Sequence, residues 1–300
     1  MVDRISSFSQ SQRLINNNLR IQSEYAKGQV QLSSGLKYDT YEGMSTIAGK
    51  ILNLEAEISQ IQARSTNAET AMSRTEMMFD AMGSMLDVAN SFYADLTSAF
   101  SSLAISAGEV QTIAQSNLDQ LVTLMNVEFD DRYLFSGAAT KTAPIDLTGY
   151  TGGTVVPSAV DTTYYQGDSY THSVEAAEGY TINYGVTGDN AVFEKIIRGI
   201  SLVINNPGNS TAYSEALGLL NDGISELATL KASVAHDSKA LDMVIESHAS
   251  EMLLLENTIT DLKAADLTEV ATRLQELETQ LEASYSVTTT LLNLKLSDYL

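Results

Sequence analysis

The chain has no cysteine and no tryptophan. Without cysteine there is no disulfide, no thiolate metal site and no cysteine nucleophile, and nothing that an oxidising exterior could cross-link. Cations are scarce as well: 17 lysines and arginines face 38 acidic side chains, for a net charge of −21. Polyphosphate would be repelled by such a surface, so no nucleic-acid partner is expected. No apolar run approaches the roughly 18 residues that could span a bilayer, so no membrane insertion is expected. The first residues, MVDRISSFSQSQ, lack the basic-then-apolar pattern of a cleavable signal peptide. Nor is there a nucleotide-binding glycine loop, a zinc-protease helix or a serine elbow.

Proline is nearly missing. The three prolines are Pro144, Pro157 and Pro207, and residues 224–300 contain neither proline nor glycine. Proline costs about 3 kcal/mol inside a helix, so this distribution predicts two helical arms around a non-helical middle.

What is present is hydrophobic periodicity. The first arm carries two neighbouring stripes, Ile5, Phe8, Ile15, Leu19, Ala26 and Val30 beside Leu14, Ile21, Tyr25 and Leu32. Ser33, Ser34 and Gly35 break the pattern, and a helix is expected to resume near Met44. A heptad then runs through Leu54, Ile58, Ile61, Ser65, Ala68, Met72, Thr75, Phe79, Met82, Leu86, Ala89, Tyr93, Leu96, Phe100 and Leu103. As one helix it would be roughly 75 Å long, which suggests a rod. A break is expected at Gly108, with a further amphipathic helix from Val110 to about Asp130.

The second arm mirrors the first. A short apolar helix (Val192 to Val203) and the turn Asn206-Pro207-Gly208 lead into a second heptad. Its positions are Leu220, Ile224, Leu227, Lys231, Val234, Ser238, Leu241, Ile245, His248, Met252, Leu255, Ile259 and Leu262. The register wavers at Lys263-Ala264-Ala265, and a last helix carries Leu267, Val270, Leu274, Leu277, Leu281, Tyr285, Thr288 and Leu292. Antiparallel pairing of the two arms satisfies all of these stripes together. The termini differ in charge: Arg4, Arg13, Arg20, Lys27 and Lys37 dominate the first 40 residues, while the last 40 are mostly acidic. Opposite charge favours pairing of the two ends over self-pairing of either.

The middle, about 138–190, is rich in glycine and tyrosine, with β-type runs at 162–165 and 180–184. The expected fold is therefore mainly α: a long antiparallel bundle or coiled coil of N- and C-terminal arms with a small β-rich inserted domain. The expected parts are a terminal assembly domain (1–42 and 264–300), a helical rod (43–137 and 191–263) and the insert (138–190).

Several sequence pieces carry a resemblance. They are Gln31-Leu32-Ser33-Ser34-Gly35-Leu36, TyrLeuPheSerGly at 133–137, TyrGlnGlyAsp at 165–168, and AlaAspLeuThrGluValAlaThrArgLeu at 265–274 continuing to a final SerAspTyrLeu. In this order they resemble the bacterial flagellin superfamily, most closely its hook–filament junction branch, the third hook-associated proteins. After Gly35 the family usually has a pair of aspartates; here Tyr38, Asp39, Thr40, Tyr41, Glu42 and Gly43 stand instead. The resemblance implies a structural subunit exported by a type III route to the extracellular flagellum. It would form a homo-oligomeric ring between the first hook-associated protein and flagellin, after release from an export chaperone. A filament flagellin is the nearest alternative, and a coiled-coil adhesin or tether a more distant one. Subunit assembly would use Ile5, Phe8, Ile15, Leu19, Leu36, Leu267, Val270, Leu274, Leu277, Leu281, Tyr285 and Leu292.

No enzyme, metal or cofactor is expected. His172 follows Asp168 by four positions, but no third ligand is in view, so surface polarity is the simpler reading. His248 sits at a heptad core position and reads as a register-setting residue beside a partner or water. Five of the ten methionines fall between Met72 and Met85; core filling is the default, and an adaptable subunit surface the alternative. Polar runs such as Gln10-Ser11-Gln12 and Asn16-Asn17-Asn18 suit terminal helices that order on assembly.

Overall fold

The computed structural model describes residues 2–38, 44, 47–102 and 106–297, with the side chains of 2–8, 10 and 291–297 outside that description. The chain forms α1 (Val2–Ser34), α2 (Ala48–Ser102), α3 (Ala107–Met125), β1 (Glu128–Phe129), β2 (Arg132–Tyr133), β3 (His172–Ala177), β4 (Tyr180–Tyr184), α4 (Ala191–Asn205), α5 (Ser210–Lys263) and α6 (Leu267–Ser297). The fold is mainly α, as the proline distribution predicts, with two antiparallel two-stranded sheets, β1–β2 and β3–β4. It divides into two compact units, one of residues 1–59 with 251–300 and one of residues 60–250.

The larger unit is organised by α2. Its predicted heptad positions from Ile61 to Leu96 all face inward, buried or half-buried, and Phe100 stands exposed. From Ala71 onward a second row joins them: Met78, Ala81, Met85, Phe92 and Ala99 are also buried. One seam serves one partner. Two adjacent seams arise here because α3, α4 and α5 all contribute to the same core, through Leu121, Met125, Phe193, Ile196, Ile200, Leu220 and Leu227. Three of the five clustered methionines, Met78, Met82 and Met85, are core with essentially no solvent contact, while Met72 is half-buried and Met77 is exposed.

Local chemistry sets the helix ends. The break before α3 falls at Ser106 rather than Gly108, because Ser106 and Glu109 form a reciprocal capping box. α3 stops at Met125, short of the expected Asp130, since Asn126 turns away to hydrogen-bond both the amide and the carbonyl of Ile145. The chain then makes the hairpin β1–β2, whose two turn residues Asp130 and Asp131 have φ of 53° and 56°. The expected strand at 180–184 is β4, paired with β3, and Val174, Ala176, Ile182 and Tyr184 pack with Ala68, Ala71 and Leu241. The expected strand at 162–165 is not formed. Tyr164 is drawn into the helical core instead, donating its hydroxyl to the Gly188 carbonyl at 2.9 Å, and Tyr165 makes only an isolated bridge to Ile145.

The smaller unit pairs α1 with α6 and adds a cluster of Met44, Ile51 and Ile259, flanked by Tyr38, Ile47, Leu54, Ile58 and Leu262. The wavering register at 263–265 is a true break: α5 ends at Lys263, and a bridge from Leu36 to Ala264 ties the turn after α1 to the start of α6. Helix α2 begins at Ala48, with the Met44 carbonyl accepting from the amides of Ile47 and Ala48. Asp39 to Gly43 and Leu103 lie outside the described residues.

His248 occupies its expected core position on α5 and is 5% exposed, yet neither ring nitrogen finds a partner among the described residues. A buried polar group left unpaired costs about 1–3 kcal/mol. His248→Leu is therefore expected to raise the urea stability of the larger unit by about 1–2 kcal/mol. The check is a denaturation curve of the two proteins at neutral pH.

Candidate assembly surface

The inward seam of α1 is Leu14, Asn18, Ile21, Tyr25 and Gly28, in steps of three and four. That of α6 is Leu274, Leu277, Leu281, Ser284 and Thr288. The helices run antiparallel. Ser284 donates its hydroxyl to the Asn18 amide oxygen, Gln22 donates to the Tyr285 hydroxyl at 2.6 Å, and Leu274 lies against Gly28. Among the described residues only Ile21, Leu274 and Leu277 are buried apolar side chains here, contributing roughly 5–9 kcal/mol together. Among the same residues the opposite net charges of the two ends do not form a matching row of ion pairs. The described bridge between the helices joins Arg273 of the acidic helix to Glu24 of the basic one, at 3.5 Å and largely in solvent, where it adds little.

The two α1 stripes therefore differ. Leu14, Ile21 and Tyr25 turn toward α6, although Leu32 of the same stripe is exposed, whereas Ile15, Leu19 and Val30 are all exposed, Ile15 to 48% and Leu19 to 58%. Among the expected assembly residues, Leu274 and Leu277 are buried within the chain, and Val270 and Leu281 are half-buried. Ile15, Leu19, Leu36, Leu267 and Tyr285 are exposed. The side chains of Ile5, Phe8 and Leu292 lie outside the described residues. Of the eighteen exposed large apolar side chains among the described residues, eleven belong to the smaller unit, which holds well under half of the chain. Sequence periodicity found both stripes but missed Asn18, Ser284 and Gly28. Their signal was a polar or side-chain-free position inside an otherwise apolar seam.

The charged clusters of the larger unit organise loops. Asp161 accepts from the amide and hydroxyl of Thr163 and from those of Thr151, which holds its carboxyl well below the usual range. Glu194, buried on α4, has its carboxyl pushed up by desolvation while accepting from the Asp161 amide and pairing with Arg198 at 3.1 Å. Together they strap residues 150–165 onto α4. Asp168 accepts from the amides of Ala138 and Tyr170, and His172 Nε2 lies 3.0 Å from the Gly137 carbonyl oxygen. Each of these carboxylates accepts from at least one backbone amide, with threonine hydroxyls added at Asp161 and the Arg198 guanidinium at Glu194. Among the described residues no three histidines, aspartates or glutamates converge on a possible metal position. No helix of the described residues is long and apolar enough to cross a membrane.

Terminal helices that pair antiparallel, together with a second, helical unit carrying short mid-chain hairpins, make a fold shared with solved flagellar proteins. The structure of flagellar hook-associated protein 3 from Legionella pneumophila is 12% identical and superposes with a TM-score of 0.57, over 71% of this chain and 98% of that one. FlgL of Bacillus cereus is 16% identical, with a TM-score of 0.50 over 65% and 98%. A Vibrio parahaemolyticus structure assigned to the flagellar hook-associated proteins is 20% identical, with a TM-score of 0.50 over 71% and 96%. At these identities the likeness establishes a common fold. No protein-family model and no curated protein matches the sequence.

The depressed carboxyl of Asp161 gives the loop strap a direction in pH. Its contribution is complete above the ordinary carboxylate range and is lost as pH falls through the depressed value. Asp161→Asn, whose single amide oxygen cannot replace both carboxylate oxygens, is expected to speed protease cleavage within 150–160 at neutral pH, with helical circular dichroism unchanged. Wild type should reach that rate only in strong acid, measured with an acid-active protease.

Proposed function

We propose that this chain is a structural subunit of the bacterial flagellum, forming the junction between the hook-associated proteins and the flagellin filament. The observation that carries the reading is the stripe of Ile15, Leu19 and Val30, exposed on a helix whose other apolar stripe is already used by α6. Apolar area left uncovered in this way is a surface for another chain. The shared fold with structures named as hook-associated proteins supports the flagellar setting.

In this reading the terminal segments, 1–42 and 264–300, are the assembly domain, and 43–263 is the body, with 138–190 as its outer insert. Ile15, Leu19, Leu36, Leu267 and Tyr285 make the contacts to neighbouring subunits, joined by Ile5, Phe8 and Leu292. Leu274, Leu277, Val270 and Leu281 act one step back, by holding α6 to α1. The neighbours are copies of the chain in a ring, the first hook-associated protein on one side and flagellin on the other. An export chaperone covers the apolar surface before extracellular delivery. The role is architectural, without catalysis or cofactor.

Ile15→Asp combined with Leu19→Asp is expected to abolish incorporation at the hook tip and motility, while the purified protein keeps its thermal unfolding. Normal motility from that double variant would refute the reading. Seeding of purified protein on isolated hooks separates junction from filament: a short cap of fixed length is expected, and long filaments would assign the chain to the filament instead.

A further inference from the structure

Backbone and side-chain contacts set the alignment of α1 on α6, and they agree: where α1 ends and α6 begins, the Lys37 amide donates to the Lys263 carbonyl and the Ala265 amide to the Gly35 carbonyl. Asn18 meets Ser284 and Gly28 meets Leu274, ten positions apart on each helix. The same alignment places Ile21 opposite Leu281, Tyr25 opposite Leu277, and Leu14 opposite Thr288. A slip of one heptad would bring Ile21 to Leu274, Asn18 to Leu277 and Leu14 to Leu281. By apolar matching alone the two alignments are close, because Leu14 exchanges Thr288 for a leucine while Leu277 exchanges Tyr25 for Asn18 and Tyr25 exchanges Leu277 for Val270.

Asn18 decides between them. It is 8% exposed, and its amide oxygen accepts from Ser284 in the observed alignment. In the slipped one the amide would be buried against Leu277, with its hydrogen bond broken and no hydroxyl in place, a loss that outweighs one improved leucine contact. Gly28 works in the same direction. A Cβ at this position would lie 2.8 Å from Leu274 Cδ2, so the leucine sits in a notch that only glycine provides. The one described ion pair between the helices is too exposed to fix an alignment.

We propose that Asn18 with Ser284, seconded by Gly28 with Leu274, is a register lock. It gives up stability in the α1–α6 seam in return for a single alignment, and so fixes where the exposed Ile15–Leu19 stripe is presented. Polar pairs at core positions of paired helices are known to trade stability for register in this manner. The proposal concerns the isolated chain and stands or falls independently of the flagellar reading.

The chain is free of cysteine, so a single pair of spin labels can be placed without interference. Labels on Arg13→Cys and Thr268→Cys report the axial offset of the helices by dipolar distance measurement on the full-length protein. In the otherwise wild-type chain one distance is expected. With Asn18→Leu added, a second population should appear, shorter by about 10 Å, which is the rise of one heptad. Adding Gly28→Ala, which crowds the buried Leu274 in the native alignment but faces the exposed Leu267 at the start of α6 in the slipped one, should enlarge that population. Circular dichroism checks that helix content is retained, since both replacements favour helix. A single unshifted distance in both variants would overturn the lock, and so would a wild-type distribution as broad as that of the variants.

Discussion

How many apolar seams a helix carries, and how many of them its own chain covers, decides the character of each part of this protein. In the second half of α2 two adjacent rows are covered, by residues of α3, α4 and α5 that interleave at full burial. In α1 there are also two rows, but the chain supplies one partner helix, and one row stays in solvent. The first arrangement makes a core that is complete. The second makes a pair of helices held by few buried apolar side chains and carrying an unspent surface.

That contrast links stability to the surface that each unit presents. Ionisable clusters in the larger unit are consumed by loop geometry: Asp161, Asp168 and Glu194 accept from backbone amides, and their protonation behaviour follows from those bonds and from burial. The smaller unit concentrates exposed leucine, isoleucine, valine and tyrosine. A surface of that kind gains free energy only when another chain covers it. A structural subunit needs little else, provided that the surface is presented in one alignment, and the polar and glycine positions in the seam supply that condition.

Helix content, the positions of the long heptads and the break at 263–265 were all legible in the sequence, because proline exclusion and 3.6-residue periodicity act locally. The two stripes of α1 were legible as well. What periodicity could not say was which stripe α6 would take, since that depends on the relative energy of two alignments. Asn18 looked like evidence of weak helicity when it is a buried partner of Ser284. Charge asymmetry pointed to the right pair of helices, yet the described bridge uses the minority charges, Glu24 and Arg273. The strand expected at 162–165 failed for a similar reason: β propensity read two adjacent tyrosines as sheet, while the core buries Tyr164 fully and holds Tyr165 half-buried against it. That His248 finds no hydrogen-bonding partner among the described residues was beyond the reach of sequence, because it depends on what packs around the ring.

The central claim is that the α1–α6 pair is marginal beside the core of the larger unit. Native-state hydrogen exchange of the isolated chain tests it most directly. Amides of residues 11–31 and 270–288 should exchange at least ~100-fold faster than those around Phe92, Leu121, Ile196 and Leu227, reflecting local opening against global unfolding. Equal protection of the two sets would contradict the account.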